Sequence, residues 1–312
     1  MIDNPWWVGL APLLGWCLDA VIRTRRWEPL LPRLVHRAAG RLEFVVRTGL
    51  PDNPARAGEI LVLWLLGGAF ALGWALTQTA WIFGEGAPGK FVLWVVAFFL
   101  LFGVRRRASA GSDVMGSLLA ESPDVAAQWL VHVDGHAGDG STTAVARSTV
   151  HRMSKSVVES ALLVTFWGVT FGLGVALAAG CVHELARFAR RSEDPDDPIW
   201  AGALRTERWL TWPATWVAVV VVYLVIPLAG GARARAMAGF VNNRNQPPLR
   251  RLSLAVEDGL GLTVTQTVEA QVVDPIRAED IQRSIIVLWT ASFVGVAAMS
   301  GISALVFRLL GG

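Results

Sequence analysis

Residues 130–142, LVHVDGHAGDGST, bring four potential ligands into one polar loop of an otherwise apolar chain. His132, Asp134, His136 and Asp139 could offer imidazole and carboxylate groups to a divalent metal. Alternate residues in a glycine-rich loop set no fixed geometry, however, and no HExxH or CxxC accompanies them. The stretch GHAGDGST (135–142) also has the glycine spacing of a phosphate-binding P-loop, GxxxxGK[ST]. Ser141 stands where that loop needs its lysine, and the preceding AAQWLVHVD reads as helix rather than strand. A flexible connector between two helices is the reading preferred to both.

Other polar groups are fewer. Arg244, Arg250 and Arg251 in VNNRNQPPLRR could meet phosphates or lipid headgroups, with electrostatic anchoring of a loop as the plainer alternative. Asp19 and Glu159 are acids at or within apolar segments, where an unpaired charge is costly. Asp19 is expected to pair with Arg23 one turn on, and Glu159 to reach water at a segment edge. His183 and Glu184 are expected at an interface, and the run SEDPDDP (192–198) as a solvated outer loop. Cys17 and Cys181, each in apolar surroundings, read as inert thiols rather than a disulfide or zinc framework. No GxSxG or dinucleotide fingerprint is present.

These residues sit in a chain of 312 residues that is 53% hydrophobic and 17% charged, with mean hydropathy +0.46. Soluble domains carry about a quarter charged residues, so the expectation is an all-α polytopic membrane protein. The N-terminus lacks the basic region of a cleaved signal peptide. Segments 60–83, 160–181 and 284–307 have the length and apolarity of spans, and 209–229 adds a fourth that carries Pro213 and Pro227. Residues 91–104 read as the return leg of a hairpin, and 7–22 as a weak span or re-entrant segment, giving five or six helices in one domain, 1–312. With six crossings, 23–59, 105–159 and 230–283 share a side and hold 21 of the 28 basic residues, which assigns them to the cytoplasm. Trp81, Trp200 and Trp209 would then lie in the interfacial belts. Ser112 and Ser122 read as helix caps, with Pro123 in a first turn. Within 31–48, Leu34, Ala38 and Leu42 fall on one helical face, and Arg33, Arg37 and Arg41 on another. That is a basic amphipathic helix, lying on anionic lipid or packed on the bundle with its arginines in water.

The order of features resembles the integral-membrane superfamily that joins adenosylcobinamide-phosphate synthase (CobD/CbiB) with AmpE, over nearly the full length. The opening GLAPLLGWCLDAVIRTRRWEPLLPRLVHRAAGRLE is similar to the family's start, with Asp19 and Glu43 matching. AAQWLVHVDG resembles the stretch holding Arg-Asp-Thr, where Asp134 matches. SVVESALLVTFWGVTFGLGVAL resembles its Phe-Trp segment (Trp167), RTERWLTWPATW its Pro-Ala-Arg segment (Pro213), and AEDIQRSIIVLW its Asp-Ile-x-Arg lead-in (Asp280). The resemblance implies Asp134, Glu159 and Glu207 as candidate catalytic carboxylates, and Asp19, Glu43, Trp167, Pro213 and Asp280 as structural matches. The synthase's other polar groups do not carry over: Lys155 replaces a carboxylate, Thr215 the arginine, and Val133 and Gly135 flank Asp134. Scaffold retained with chemistry lost resembles the AmpE branch. It implies a non-catalytic inner-membrane protein in signalling or scaffolding, with the bilayer and a cytoplasmic protein as partners, no nucleic acid and no cofactor. The alternative is a divergent synthase that uses Mg2+ and ATP to form an amide between adenosylcobyric acid and aminopropanol phosphate.

Overall fold

The computed structural model describes residues 9–22, 30–79, 87–132, 140–192, 194, 196–262 and 276–310. All regular structure among them is helical. His132 ends a helix, but its side chain and Asp134, His136, Asp139, Arg23 and Trp81 lie outside the described residues. The chain divides into two compact units.

The first unit comprises 1–103, 161–214 and 296–312. It holds α1 (Ala11–Val21), α2 (Leu30–Gly49), α3 (Pro54–Thr79), α4 (Ala87–Leu101), α8 (Leu163–Phe171) and α9 (Leu173–Arg191). It also takes the part of α10 (Pro198–Val225) up to Ala214 and of α13 (Ala278–Leu310) from Val296. Helix α3 starts cleanly because the Asn53 side chain accepts the Arg56 N–H at 3.1 Å and Pro54 needs no donor in the first turn. Its backbone then comes so close to its neighbours that side chains are excluded at two points. A Cβ on Gly73 would lie 2.5 Å from the Gly174 Cα of α9, and one on Gly58 would lie 1.9 Å from the Ile199 carbonyl of α10. Small residues at such crossings let helices associate where lipid offers no hydrophobic drive. Away from these approaches α3 exposes Leu63, Trp64 and Trp74.

The segment 160–181 is not one span. Gly172 sits at φ +94, a conformation that costs a residue with a Cβ, and the chain reverses there. A Cβ on Gly168 would come within 3.3 Å of the Ala176 Cβ, whereas in a straight helix eight residues advance about 12 Å. Helices α8 and α9 therefore form a hairpin, and α8 continues directly from the π-helical turn Val158–Leu162.

Helix α2 packs on the bundle through Val35, Ala39 and Val46, with Leu42 beside them, against Ala57, Leu61, Leu185, Ala189, Ile199 and Trp200. The buried stripe is one residue out of phase with the expected 34–38–42 face, and Leu34 is 60% exposed. Trp200 is buried in this core rather than sitting in an interfacial belt, while Trp209 is exposed. At the C-terminal end of α2, the Arg47 guanidinium donates to Glu43 at 2.8 and 3.0 Å and to the Asp197 Oδ2 at 2.7 Å. Asp197 Oδ1 in turn accepts the Ile199 N–H at 2.9 Å and so caps α10. Two residues 2.7 Å apart cannot lie on opposite sides of a hydrocarbon layer about 30 Å thick. The expected placement of 23–59 and SEDPDDP on opposite sides is thus incorrect, and the hairpin at Gly172 accounts for it.

The second unit comprises 104–160 and 215–295. Here α7 (Thr142–Val157) packs against α5 (Val104–Leu119) and α12 (Pro248–Leu260), while α6 (Pro123–His132) packs on α5 and α11 (Arg233–Asn242) pairs with α12. Ser141 caps α7 by accepting the Ala144 N–H at 3.2 Å. Pro123 does open α6, but Ser112 lies inside α5 and donates back to the Ala108 carbonyl, so it caps nothing. Gly261, at φ +79, closes α12 with its N–H on the Asp258 carbonyl and that of Leu262 on Glu257. Arg283 reaches the carbonyls of Ala229 and Gly230 at 3.0 and 3.1 Å, satisfying the end of the 3-10 turn Ile226–Ala229.

Among the described residues, three helices are long and apolar enough to cross a membrane: Pro54–Gln78, Pro198–Ala229 and Ala278–Leu309. Helix α1, with 11 residues, falls short of the roughly 20 a crossing takes.

Candidate functional site

Among the described residues, a dense group of buried ionisable side chains lies on the second half of α9, in the first unit. His183, Glu184 and Arg187 are all buried there, spaced so that Arg187 follows His183 by one turn and Glu184 by three residues. Glu207, one of the expected carboxylates, is buried against them from α10. His183 Nδ1 lies 2.8 Å from Glu207 Oε1, and Arg190 donates to the other oxygen of the same carboxylate. Arg187 Nη1 donates to both oxygens of Glu184, at 2.7 and 2.9 Å. From α2, His36 sets its ring against Phe188, centroids 5.3 Å apart, with Nε2 3.9 Å from Glu184 Oε2.

This geometry has a definite chemical character. The carboxylate on Nδ1 orients the His183 ring. Such a pair can pass a proton, and His183 with Glu207 is where a metal would find ligands in this unit. Against that stands the charge balance. The carboxylates of Glu184 and Glu207 each already meet a guanidinium of the same chain, Arg187 and Arg190. Buried pairs of this kind return little net stability but are costly to break singly. Burial holds the His36 imidazole below its usual range, outweighing the pull of Glu184, and Arg187 and Arg191 push the same way.

Glu159, in the second unit, accepts from Arg107 at 2.7 Å, and Arg107 also donates to Ser156 at 2.9 Å. Glu257 there takes His151 Nδ1 at 2.8 Å. Asp19 is buried in α1 and Glu43 is held by Arg47. Trp167 Nε1 donates to the Leu210 carbonyl at 3.0 Å, three residues before the ring of Pro213, which brings no N–H to its own turn. Asp280 accepts the Arg277 N–H at 3.0 Å in the first turn of α13. Of the three arginines expected to meet phosphate, Arg244 and Arg250 are exposed. Arg251 is not available: its guanidinium stacks 4.0 Å over Phe240 and donates to the Phe240 carbonyl, because the aromatic face and the carbonyl share one helix turn.

His183, Glu184 and Arg187 are buried rather than interfacial, which corrects the expectation for the first two. The signal lay in HELAR (183–187), whose charges fall at helical spacing on a face that a solvated loop would not pattern. Compared with known proteins, the chain matches no protein family, no curated protein and no solved structure.

Proposed function

We propose that the chain is an AmpE-like member of the CobD/CbiB superfamily, a multi-pass protein of a bacterial inner membrane. In this reading α3, α10 and α13 cross the bilayer, and the protein acts by engaging a cytoplasmic partner rather than by turning over a substrate. The observation that carries the reading is electrostatic. Glu184, Glu207 and Glu159 each already face an arginine of the same chain, so these three carboxylates are charge-compensated without a magnesium–nucleotide complex. ATP-driven amide formation needs charge that is preorganised for the ligand rather than cancelled internally.

A divergent adenosylcobinamide-phosphate synthase is the second reading, favoured by the buried His183–Glu207 pair, whose geometry suits proton transfer. One assay separates the two. The detergent-purified protein is incubated with adenosylcobyric acid, aminopropanol phosphate and MgATP beside an active synthase, and the amide is sought by mass spectrometry. The expected result is no product. Product that vanishes in Glu207→Gln would establish the enzyme and overturn the scaffold reading.

A further inference from the structure

The six basic residues of segment 105–159 stand at its ends, Arg105, Arg106 and Arg107 at one and Arg147, Arg152 and Lys155 towards the other. Between them, residues 108–146 carry five acids and no lysine or arginine, in a chain whose net charge is +3. Helix α6 lies within this acidic stretch. It packs on α5 and α7, with Ala126 and Leu130 fully buried. On its other side Val125, Trp129 and Val131 are 44%, 39% and 55% exposed, and Asp124 and Gln128 are exposed among them. At 100° per residue these five positions cover about 160° of arc. Glu121, at φ +54 in the turn before the helix, is exposed as well. The negative sign of this surface is set by composition, since residues 133–139, which follow the helix in sequence, add two more acids and again no lysine or arginine.

Each part of this composition limits what can cover the face. Water alone leaves a tryptophan and two valines without burial. An anionic membrane surface attracts basic amphipathic helices and repels carboxylates, so this face does not suit lipid. A wholly apolar protein surface would strip water from Asp124 and give it no partner. A helix with an apolar stripe flanked by lysine or arginine meets both demands. Its stripe covers Val125, Trp129 and Val131, while its cations reach Asp124 and Glu121 at the rim.

We propose that the outer face of α6 is a docking surface for a basic amphipathic helix of a partner protein. This rests on the reading that the chain acts through a cytoplasmic partner, and it names the chemistry of that partner. Trp129 is the anchor, because tryptophan brings a large contact area on only two rotatable bonds. The rim acids fix the orientation of the incoming helix and speed its encounter. The inner side of α6 is already packed on α5 and α7. The face is thus formed in advance, and the cost of ordering falls on the partner alone.

The test uses the full chain in phosphatidylcholine nanodiscs, with Cys17→Ala, Cys181→Ala and an environment-sensitive dye on Val131→Cys. The probe is a synthetic peptide of about five helical turns, leucine on one face and lysine on the other. A peptide with glutamate for lysine is its control, and empty nanodiscs correct for peptide held by lipid. The lysine peptide should bind and shift the dye emission to the blue, and the glutamate peptide should not. Glu121→Lys/Asp124→Lys should weaken binding about ten-fold without changing thermal unfolding, and Trp129→Ala should weaken it about as much. Asp194→Lys/Asp196→Lys, which reverses charge in another exposed acidic run, should change nothing. No binding of the lysine peptide, equal binding of both peptides, or binding that survives the Glu121/Asp124 reversal overturns the inference. Each leaves the partner reading standing, since that reading fails only if the amide assay gives product. Dye quenched by spin-labelled lipid before peptide is added would place the face on the bilayer. A shift that grows with protein concentration alone would make the occupant a second copy, and either result overturns the inference too.

Discussion

Replacing Gly58 by alanine should destabilise the protein, whereas the same change at Gly67 or Gly68, on the same helix, should not. A Cβ at Gly58 would sit 1.9 Å from the Ile199 carbonyl oxygen and 2.7 Å from its carbon, both backbone atoms that cannot rotate away. Relief requires the start of α10 to move by about 1 Å, an overpacking that costs ~1–3 kcal/mol. The same movement pulls the Ile199 N–H from the Asp197 carboxylate, and losing a cap costs about 1 kcal/mol more. Gly67 and Gly68 have nothing within 4 Å of an added Cβ, so alanine there brings only its helix propensity, a gain of up to ~1 kcal/mol. The two classes of variant should therefore differ by about 2–5 kcal/mol with opposite signs relative to the parent. Thermal unfolding of the detergent-solubilised protein, followed with a thiol-reactive dye as buried Cys181 becomes accessible, reads the difference directly. If Gly58→Ala unfolds at or above the temperature of Gly67→Ala, the close approach of α3 to the start of α10 is refuted.

Sidedness gives an independent check: single cysteines at Thr48 and Asp196 should react with a membrane-impermeant maleimide from the same face of sealed vesicles. Labelling from opposite faces would refute the Arg47–Asp197 contact. Arg107→Ala should cost about 3–5 kcal/mol, because it leaves the Glu159 carboxylate buried without its guanidinium. Arg107→Lys should restore part of that loss in the same melting assay. Burial lowers the His36 pKa, so its neutral form belongs to the folded state, facing Glu184, Arg187 and Arg191. Its contribution is complete above the unfolded value near 6.5 and is lost as pH falls from there towards the folded value. His36→Gln should consequently lose less thermal stability than the parent over that interval, and an identical pH dependence would sink the argument.

Sequence made some elements plain and hid others for physical reasons. The apolar runs 60–83 and 284–307 fall within α3 and α13 almost throughout, because an unbroken run of that length has few other folds. Helix α2 was legible as amphipathic, but not in phase. Leu34, Ala38 and Leu42 compete with Val35, Ala39, Leu42 and Val46, and only the partner helices choose between two adjacent stripes. The reversal at Gly172 left no polar mark, since GVTFGLGVAL is apolar on both sides of the turn and the bend is a matter of one glycine's φ. The charged group on α9 was visible as charge but misplaced. Its partners Glu207 and His36 are far away in sequence, and nothing in one helix announces which distant side chain will neutralise it.

The Asp197–Arg47 contact closes a gap of 150 positions, and that gap is also an interval of time. At 5–20 residues per second, α2 leaves the ribosome roughly 8–30 s before the carboxylate that fastens its end exists. Its packing stripe must also wait for α9, made on nearly the same schedule. During that interval Val35, Ala39 and Val46 need temporary cover. A nascent chain that parks this helix on the bilayer surface and later rolls it onto the bundle would be shielded from aggregation while the rest is synthesised.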